Sequence, residues 1–264
     1  MFSFNSNGER ARPIAVIKTG KYKKDTIYLE RPEERNPDSM RVDLGRDRLV
    51  PHYNKQKREI TFITAQAGAG KSYLTGEFAM TFKKANPKKD IIIFSRKCAA
   101  DDPAYKKLKP IQVKIDMSLI EKPIQLKDFQ EGSMVIFDDI GTIKNKAIEA
   151  EVEHIVMELM EVARFRGIHI IITSHVATKN TPLFQLLKVE LHNFVFFPST
   201  GVGRPLKRFL ENQFSLNTKD IRQILKVNVD EDYSWILLQR SVPRLIMNPH
   251  GVEILNHFLG EDEE

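Results

Sequence analysis

Glu59-Ile60-Thr61-Phe62-Ile63-Thr64-Ala65-Gln66-Ala67-Gly68-Ala69-Gly70-Lys71-Ser72 decides how the rest of the chain is read. The apolar, β-branched run reads as a buried strand, and the small residues behind it read as a tight loop. The loop ends in Gly-Lys-Ser and opens a helix. That is the layout of a phosphate-binding loop, in which backbone N–H groups and a helix N-terminus surround phosphate oxygens. Ala67, Gly68, Ala69, Gly70, Lys71, Ser72 and Tyr73 are its candidate nucleotide contacts. Lys71 would reach the β- and γ-phosphates of ATP, and the Ser72 hydroxyl would hold Mg²⁺. The usual pattern opens on Gly where this chain has Ala65, a place that supplies turn geometry rather than a side chain. The competing reading is a Gly-rich β–α turn followed by an ordinary surface lysine.

Working outward, the helix is expected over 71–85, with Tyr73, Leu74, Phe78 and Phe82 on one face and Asn86-Pro87 as its stop. Continuous apolar runs at 90–95, 133–137, 168–175 and 193–197 read as four more strands. Runs without polar alternation suit a parallel sheet covered on both faces. A long amphipathic helix is expected over 146–165, with Ile148, Val152, Ile155, Leu159 and Val162 as its core stripe and Gly167 closing it. Residues 104–131 show short pieces without a strong period. Five strands separated by helical stretches give an α/β, doubly wound, mostly parallel sheet.

The flanks differ in character. Residues 1–12 read as a floppy tail, 13–17 and 26–29 as a small β-hairpin, and 31–58 as a Pro-rich, charged linker. Residues 1–58 carry fourteen Lys/Arg against eight Asp/Glu, whereas 59–264 carry 27 of each. The whole positive excess thus lies ahead of the phosphate loop, as a surface for nucleic-acid phosphates or as a solvated arm. Helices are expected over 206–214 and from Asn217 or Thr218 to Leu225, then strands at 235–238, 244–247 and 252–255, then an acidic end. The expected division is a basic arm over 1–58, an ATPase core over 59–203 and a C-terminal α+β extension over 204–264. No apolar run reaches 18 residues, so no membrane-spanning helix is expected. The absence of a secretory leader pattern predicts a protein that is not secreted. Cys98 is the single cysteine, which excludes a disulfide scaffold and points to a small core residue in a reducing compartment.

Two strand ends carry the remaining chemistry. Met134-Val135-Ile136-Phe137-Asp138-Asp139 is a Walker B pattern, four apolar residues and two acids. Asp138 would complete the Mg²⁺ site with Ser72, and Asp139 would prepare the water that attacks the γ-phosphate. Alternatively Asp139 is a turn residue before Gly141. Thr173-Ser174-His175 ends the next strand, with His175 read as a γ-phosphate sensor or as a locally paired histidine. Arg164 and Arg166 suit a helix C-terminus, or one of them is an arginine finger for a neighbouring subunit. Arg96 beyond the second strand is a ligand-side cation or a solvated one.

These segments together resemble the genome-packaging ATPases of large double-stranded DNA viruses, in the FtsK–HerA superfamily of DNA-pumping motors. The resemblance is carried by the phosphate loop, by Phe94-Ser95-Arg96-Lys97 with Asp101-Asp102-Pro103, and by Asp138-Asp139-Ile140. Glu161-Val162-Ala163-Arg164, Thr173-Ser174-His175 and Phe197-Pro198-Ser199-Thr200-Gly201 complete it. It covers roughly residues 59–201. It implies a RecA-like P-loop core, Mg-dependent ATP hydrolysis, a homo-oligomeric ring of five or six copies, and translocation of double-stranded DNA. It also implies a capsid or portal-like partner, and work in the viral factory of the host cytoplasm. The family's arginine stands in a Gly-Arg-His setting that here reads Ala163-Arg164-Phe165, which favours Arg164 as the finger. Two rival functions remain at this stage. One is a helicase-type, nucleic-acid-dependent ATPase, and the other is a nucleotide-gated assembly scaffold with negligible turnover.

Overall fold

Two β-sheets organise the computed structural model, which describes all residues except 5–10, 31–39, 54–56, 100, 201–202, 228–232 and 261–264. The chain opens with β1 (Phe2–Ser3), β2 (Arg12–Ile17) and β3 (Thr26–Leu29), then β4 (Arg41–Asp43) and β5 (Leu49–Pro51). Antiparallel pairing gives the first sheet the order β1-β3-β2-β5. The expected hairpin is therefore the middle of a four-stranded sheet. Two expectations are corrected here. The first residues are not all a floppy tail, because Phe2 pairs with Leu29 and is buried. Nor is 31–58 simply a linker: it holds β4, β5 and the buried Tyr53, whose hydroxyl lies 2.9 Å from that of Thr61. Three-residue strands among prolines and charges are too short to show a period. Parts of both segments, and the acidic end at 261–264, lie outside the described residues.

The second sheet starts at β6 (Ile60–Thr64) and continues through α1 (Lys71–Ala85), β7 (Ile91–Ser95), β8 (Ile111–Lys114) and α2 (Ser118–Glu121). Next come β9 (Met134–Phe137), α3 (Lys146–Glu161), β10 (His169–Ser174), α4 (Pro182–Glu190) and β11 (Asn193–Phe196). The chain then adds α5 (Arg204–Phe214), α6 (Thr218–Leu225), β12 (Ile236–Gln239), β13 (Leu245–Asn248), β14 (Gly251–Ile254) and α7 (Leu255–Leu259). The strand order is β4-β14-β13-β12-β11-β6-β10-β9-β7-β8. The run from β11 to β8 is parallel, and the strands beyond β11 are antiparallel. Strand β8 was not foreseen, because its residues are only partly buried and carry no apolar run.

Alternation sends successive side chains of each strand to opposite faces. Ile60, Phe62, Phe94, Phe137 and Ile172 pack with α3, α4 and α5 on one side. Ile63, Ile93, Ile136 and Ile171 pack with Leu74, Phe78 and Phe82 of α1 on the other. Ile14, Ile27 and Val50 of the first sheet join that second layer, so the N-terminal sheet lies on the α1 side. Each such apolar side chain contributes about 1.5–3 kcal/mol by leaving water.

Three local readings change. Tyr73 was expected on the buried face of α1 but is 69% exposed, and Thr75, Phe78, Ala79 and Phe82 form the buried face with Leu74. Cys98 is exposed rather than a core residue, because β7 ends at Ser95 and Cys98 lies in the loop beyond. Helix α3 ends at Glu161, four residues early, so Val162, expected on its core stripe, is 52% exposed. Ala163–Arg166 form a tighter 3₁₀ turn closed by Gly167 at φ 63°. Asn217 caps α6 as expected, in a reciprocal box with Asp220.

Candidate functional site

Parallel register brings the site together. Ser174 lies opposite Thr64, and Ile172 lies opposite Phe137, so the residues that follow β6, β9 and β10 emerge side by side at one sheet edge. Carboxyl ends of parallel strands are where such sheets place ligands. The loop after β6 turns through Gly68 and Gly70, at φ 79° and 100°, conformations that favour glycine. Gly70 then leads into the first turn of α1.

Lys71 is buried in that loop. Its Nζ donates to the Ala65 carbonyl at 2.9 Å and the Gln66 carbonyl at 3.1 Å, and lies 3.1 Å from His175 Nδ1. An ammonium has three donors and no acceptor, so Nδ1 must be the acceptor here. The proton of a neutral His175 then sits on Nε2, which faces Asp139 Oδ2 at 3.3 Å. Asp139 Oδ1 is 3.9 Å from Lys71 Nζ. Burial lowers the lysine pKa, and the charges of Asp139 and Asp138 oppose that fall.

The two acids are fixed by one hydroxyl. Thr173 Oγ donates to Asp138 Oδ1 at 3.0 Å and accepts the Asp139 backbone N–H at 2.8 Å. Tyr105 adds a second bond to Asp138 Oδ1 at 3.3 Å and shares another with the Ser72 hydroxyl. Burial raises the Asp138 pKa, the Asp139 charge adds to the rise, and the bonds from Thr173 and Tyr105 hold it back. Asp139 itself sits at φ 53°, ψ 41°, left-handed backbone that Asp tolerates better than most residues. Gly141 follows closely, and a Cβ there would come within 2.7 Å of Ser174 Oγ.

Ser72 and Asp138 offer hard oxygen donors, the ligand type Mg²⁺ takes. Among the described residues no group of three His, Cys, Asp or Glu forms a metal site. A Mg²⁺ here would thus share its shell with phosphate and water oxygens, which is its usual habit with nucleotides. Tyr105, linked to both donors, is a site residue that sequence reasoning missed. Its signal was the Asp101-Asp102-Pro103 turn just before it. Gly76 on α1 admits that turn, since a Cβ there would meet the Ala104 carbonyl at 2.4 Å.

The arginines part company. Arg166 donates to the carbonyls of Leu126 and Phe129 within its own chain. Arg164 is exposed, and among the described residues its guanidinium makes no hydrogen bond. It lies ahead of β10, at the sheet edge opposite the phosphate loop, and so is not brought into this chain's own site. Arg96 donates to the Thr142 carbonyl, at 3.1 Å, and braces the turn behind Asp139. Part of the N-terminal charge is also spent internally, Arg12 on Gln239 and Ser241 and Lys18 on Glu77.

A mostly parallel sheet with a glycine loop and buried lysine after β6, and two acids after β9, is the RecA-like fold of P-loop NTPases. That fold is shared with B204, the DNA-packaging ATPase from Sulfolobus turreted icosahedral virus, at a TM-score of 0.50 and 15% identity over 72% of this chain and 96% of that one. The genome-packaging NTPase B204 from Sulfolobus turreted icosahedral virus 2, solved with ATPγS, matches at the same TM-score and identity over 73% and 98%. The Uncharacterized protein V3 of Sputnik virophage is 29% identical over 266 residues, covering 97% of this chain and all of that protein. No protein-family model matches the chain. Among the described residues no helix is long and apolar enough to cross a membrane.

Proposed function

We propose that this chain is an ATP-hydrolysing motor that moves double-stranded DNA into a viral capsid. One observation carries the reading. The hydroxyl of Thr173, on the strand between the loop strand and the acid strand, fixes both Asp138 and Asp139, within reach of Lys71 and His175. A protein that only binds nucleotide has no need of the second acid. The fold it shares with packaging ATPases supports the job assigned to that site.

In this mechanism the loop amides and Lys71 hold the phosphates, and the γ-phosphate takes over donors that Lys71 spends on Ala65 and Gln66. Ser72 and Asp138 would hold Mg²⁺, which would supply positive charge to the phosphates. Asp139 accepts the proton of a water whose oxygen bonds to the γ-phosphorus. The bond from that phosphorus to the ADP oxygen breaks, giving ADP and phosphate. His175 lies between Lys71 and Asp139, its Nδ1 3.1 Å from Lys71 Nζ and its Nε2 3.3 Å from Asp139 Oδ2. Arg164 serves the site of a neighbouring copy in a ring. The exposed Phe165, at 96%, and Val162, at 52%, beside it are the kind of apolar surface that a subunit contact would cover.

The test is ATP turnover with and without duplex DNA, with mass measured in parallel by light scattering. Turnover stimulated by DNA in an oligomer is expected, with Asp139→Asn binding ATP but not hydrolysing it. Turnover indifferent to DNA in a strict monomer sinks the motor. Separation of a forked duplex would move the reading to a helicase.

A further inference from the structure

A cavity of about 640 Å³ opens between the N-terminal sheet and the first turn of α1, within the range of small-molecule sites. Gly70 and Tyr73 border it, so it begins where the phosphate loop ends. We propose that it is the nucleoside subsite, holding base and ribose of the nucleotide, with the N-terminal sheet as one wall. The proposal rests on the phosphate-binding reading of the loop and deepens it. It gives residues outside the P-loop core a direct part in nucleotide recognition.

Three features fit a nucleoside. Leu49 and Val50 of β5 and Trp235 give a buried apolar wall, suited to the face of a base. Tyr73 and Tyr233 leave large rings 69% and 61% exposed at the mouth, where aromatic stacking on a base is worth about 1–3 kcal/mol. Tyr233 lies close over the loop, its ring 3.2 Å from where a Gly70 Cβ would stand. The polar element is the ion pair of Lys18, at the end of β2, with Glu77 of α1 at 2.5 Å. It sets a donor beside an acceptor, the pattern that the edge of a purine presents in complement. Peptide or lipid chains would need a longer groove and have no reason to start at a phosphate loop.

Trp235 is the single tryptophan of the chain, so its fluorescence reports on this cavity alone. The full chain is titrated with Mg-ADP and, separately, with Mg-tripolyphosphate, which has phosphates but no base. ADP is expected to change Trp235 emission and to protect the amides of 48–50 from hydrogen exchange. Tripolyphosphate is expected to displace ADP while doing neither. Lys18→Phe, which fills the cavity without adding a tryptophan, is expected to weaken ADP about tenfold and to leave tripolyphosphate within about twofold. Bound ADP with unchanged emission and unprotected 48–50 overturns the proposal, and so do equal responses to the two ligands. These wild-type readouts stand even if the variant does not fold. Failure of both ligands to bind overturns the phosphate-loop reading, and this proposal with it.

Discussion

Replacing Thr173 with valine removes one oxygen and keeps the branched shape that a central strand favours. The side chain is fully buried, so water cannot stand in for the lost hydroxyl. Two bonds disappear, one to the Asp138 carboxylate at 3.0 Å and one from the Asp139 N–H at 2.8 Å. A hydrogen bond to a charged group contributes about 1.5–3 kcal/mol, and a buried donor left unpaired costs about 1–3 kcal/mol. The added methyl returns about 0.8 kcal/mol, leaving a net loss of roughly 2–5 kcal/mol. For a chain of this size that lowers Tm by roughly 4–20 °C. Asp138 loses a bond that favours its charged form, so its pKa climbs further. Asp139 loses its backbone anchor, and a reacting group displaced by about an ångström costs roughly 100-fold in kcat. Calorimetry, ATP turnover and ADP binding measure these separately. Thr173→Ser restores both bonds and should recover most of Tm and kcat. A valine variant that melts within about 2 °C of wild type and turns over within about twofold refutes the proposed bracing of the acids.

Other outcomes follow from the same contacts. Burial raises the Glu59 pKa from 4.5 to about 7, against the pull of Arg12 and the Asn193 bond. The folded state therefore binds this proton more tightly than the unfolded one, and stability falls as pH rises from 4.5 to about 7. Relative to wild type, Glu59→Gln should gain nothing at pH 4.5 and roughly 3 kcal/mol above pH 7 by urea unfolding; a constant offset would show that Glu59 does not titrate there. His169, lowered to about 4 by burial, has the opposite slope between 4 and 6.5, and the variant should unmask it as stability rising with pH. Gly76→Ala should destabilise by about 1–3 kcal/mol, where a helix interior normally gains from alanine, because of the 2.4 Å approach to the Ala104 carbonyl. A neutral or higher Tm would show that the 102–105 turn yields. Arg164→Ala should bind ADP normally yet lose about 10³-fold in turnover, and mixing it with Lys71→Ala chains should restore part of the rate. Full activity of the isolated variant would remove Arg164 from catalysis.

The parallel core was legible because its strands are buried on both faces and so appear as unbroken apolar runs. That Lys71, Ser72 and Asp138 would meet was legible from the loop's fixed spacing and from the apolar run that ends at Asp138. Register is a different matter: only pairing between distant strands puts Thr173 between the two acids. Tyr105 was missed because its role depends on Gly76 letting the Asp101-Asp102-Pro103 turn approach α1, and the turn alone does not show that approach. Of the N-terminal sheet the central hairpin was legible, while β1 and β5 escaped notice through brevity, at two and three residues. Charge counting treated 1–58 as a free basic arm, whereas Arg12 and Lys18 have partners that lie far along the chain.

Strand β4 has a consequence for how the chain comes into being. Among the described residues Arg41–Asp43 pair only with β14, across more than two hundred residues, and Arg12 is bonded to Gln239. During synthesis at about 5–20 residues per second, those early residues wait roughly 10–40 s for the strands that receive them. The edge of the large sheet is thus finished by the oldest part of the chain and the youngest together. Nicking or shortening either end should loosen both, and a ribosome-bound chain stalled before residue 236 should leave 41–43 open to protease.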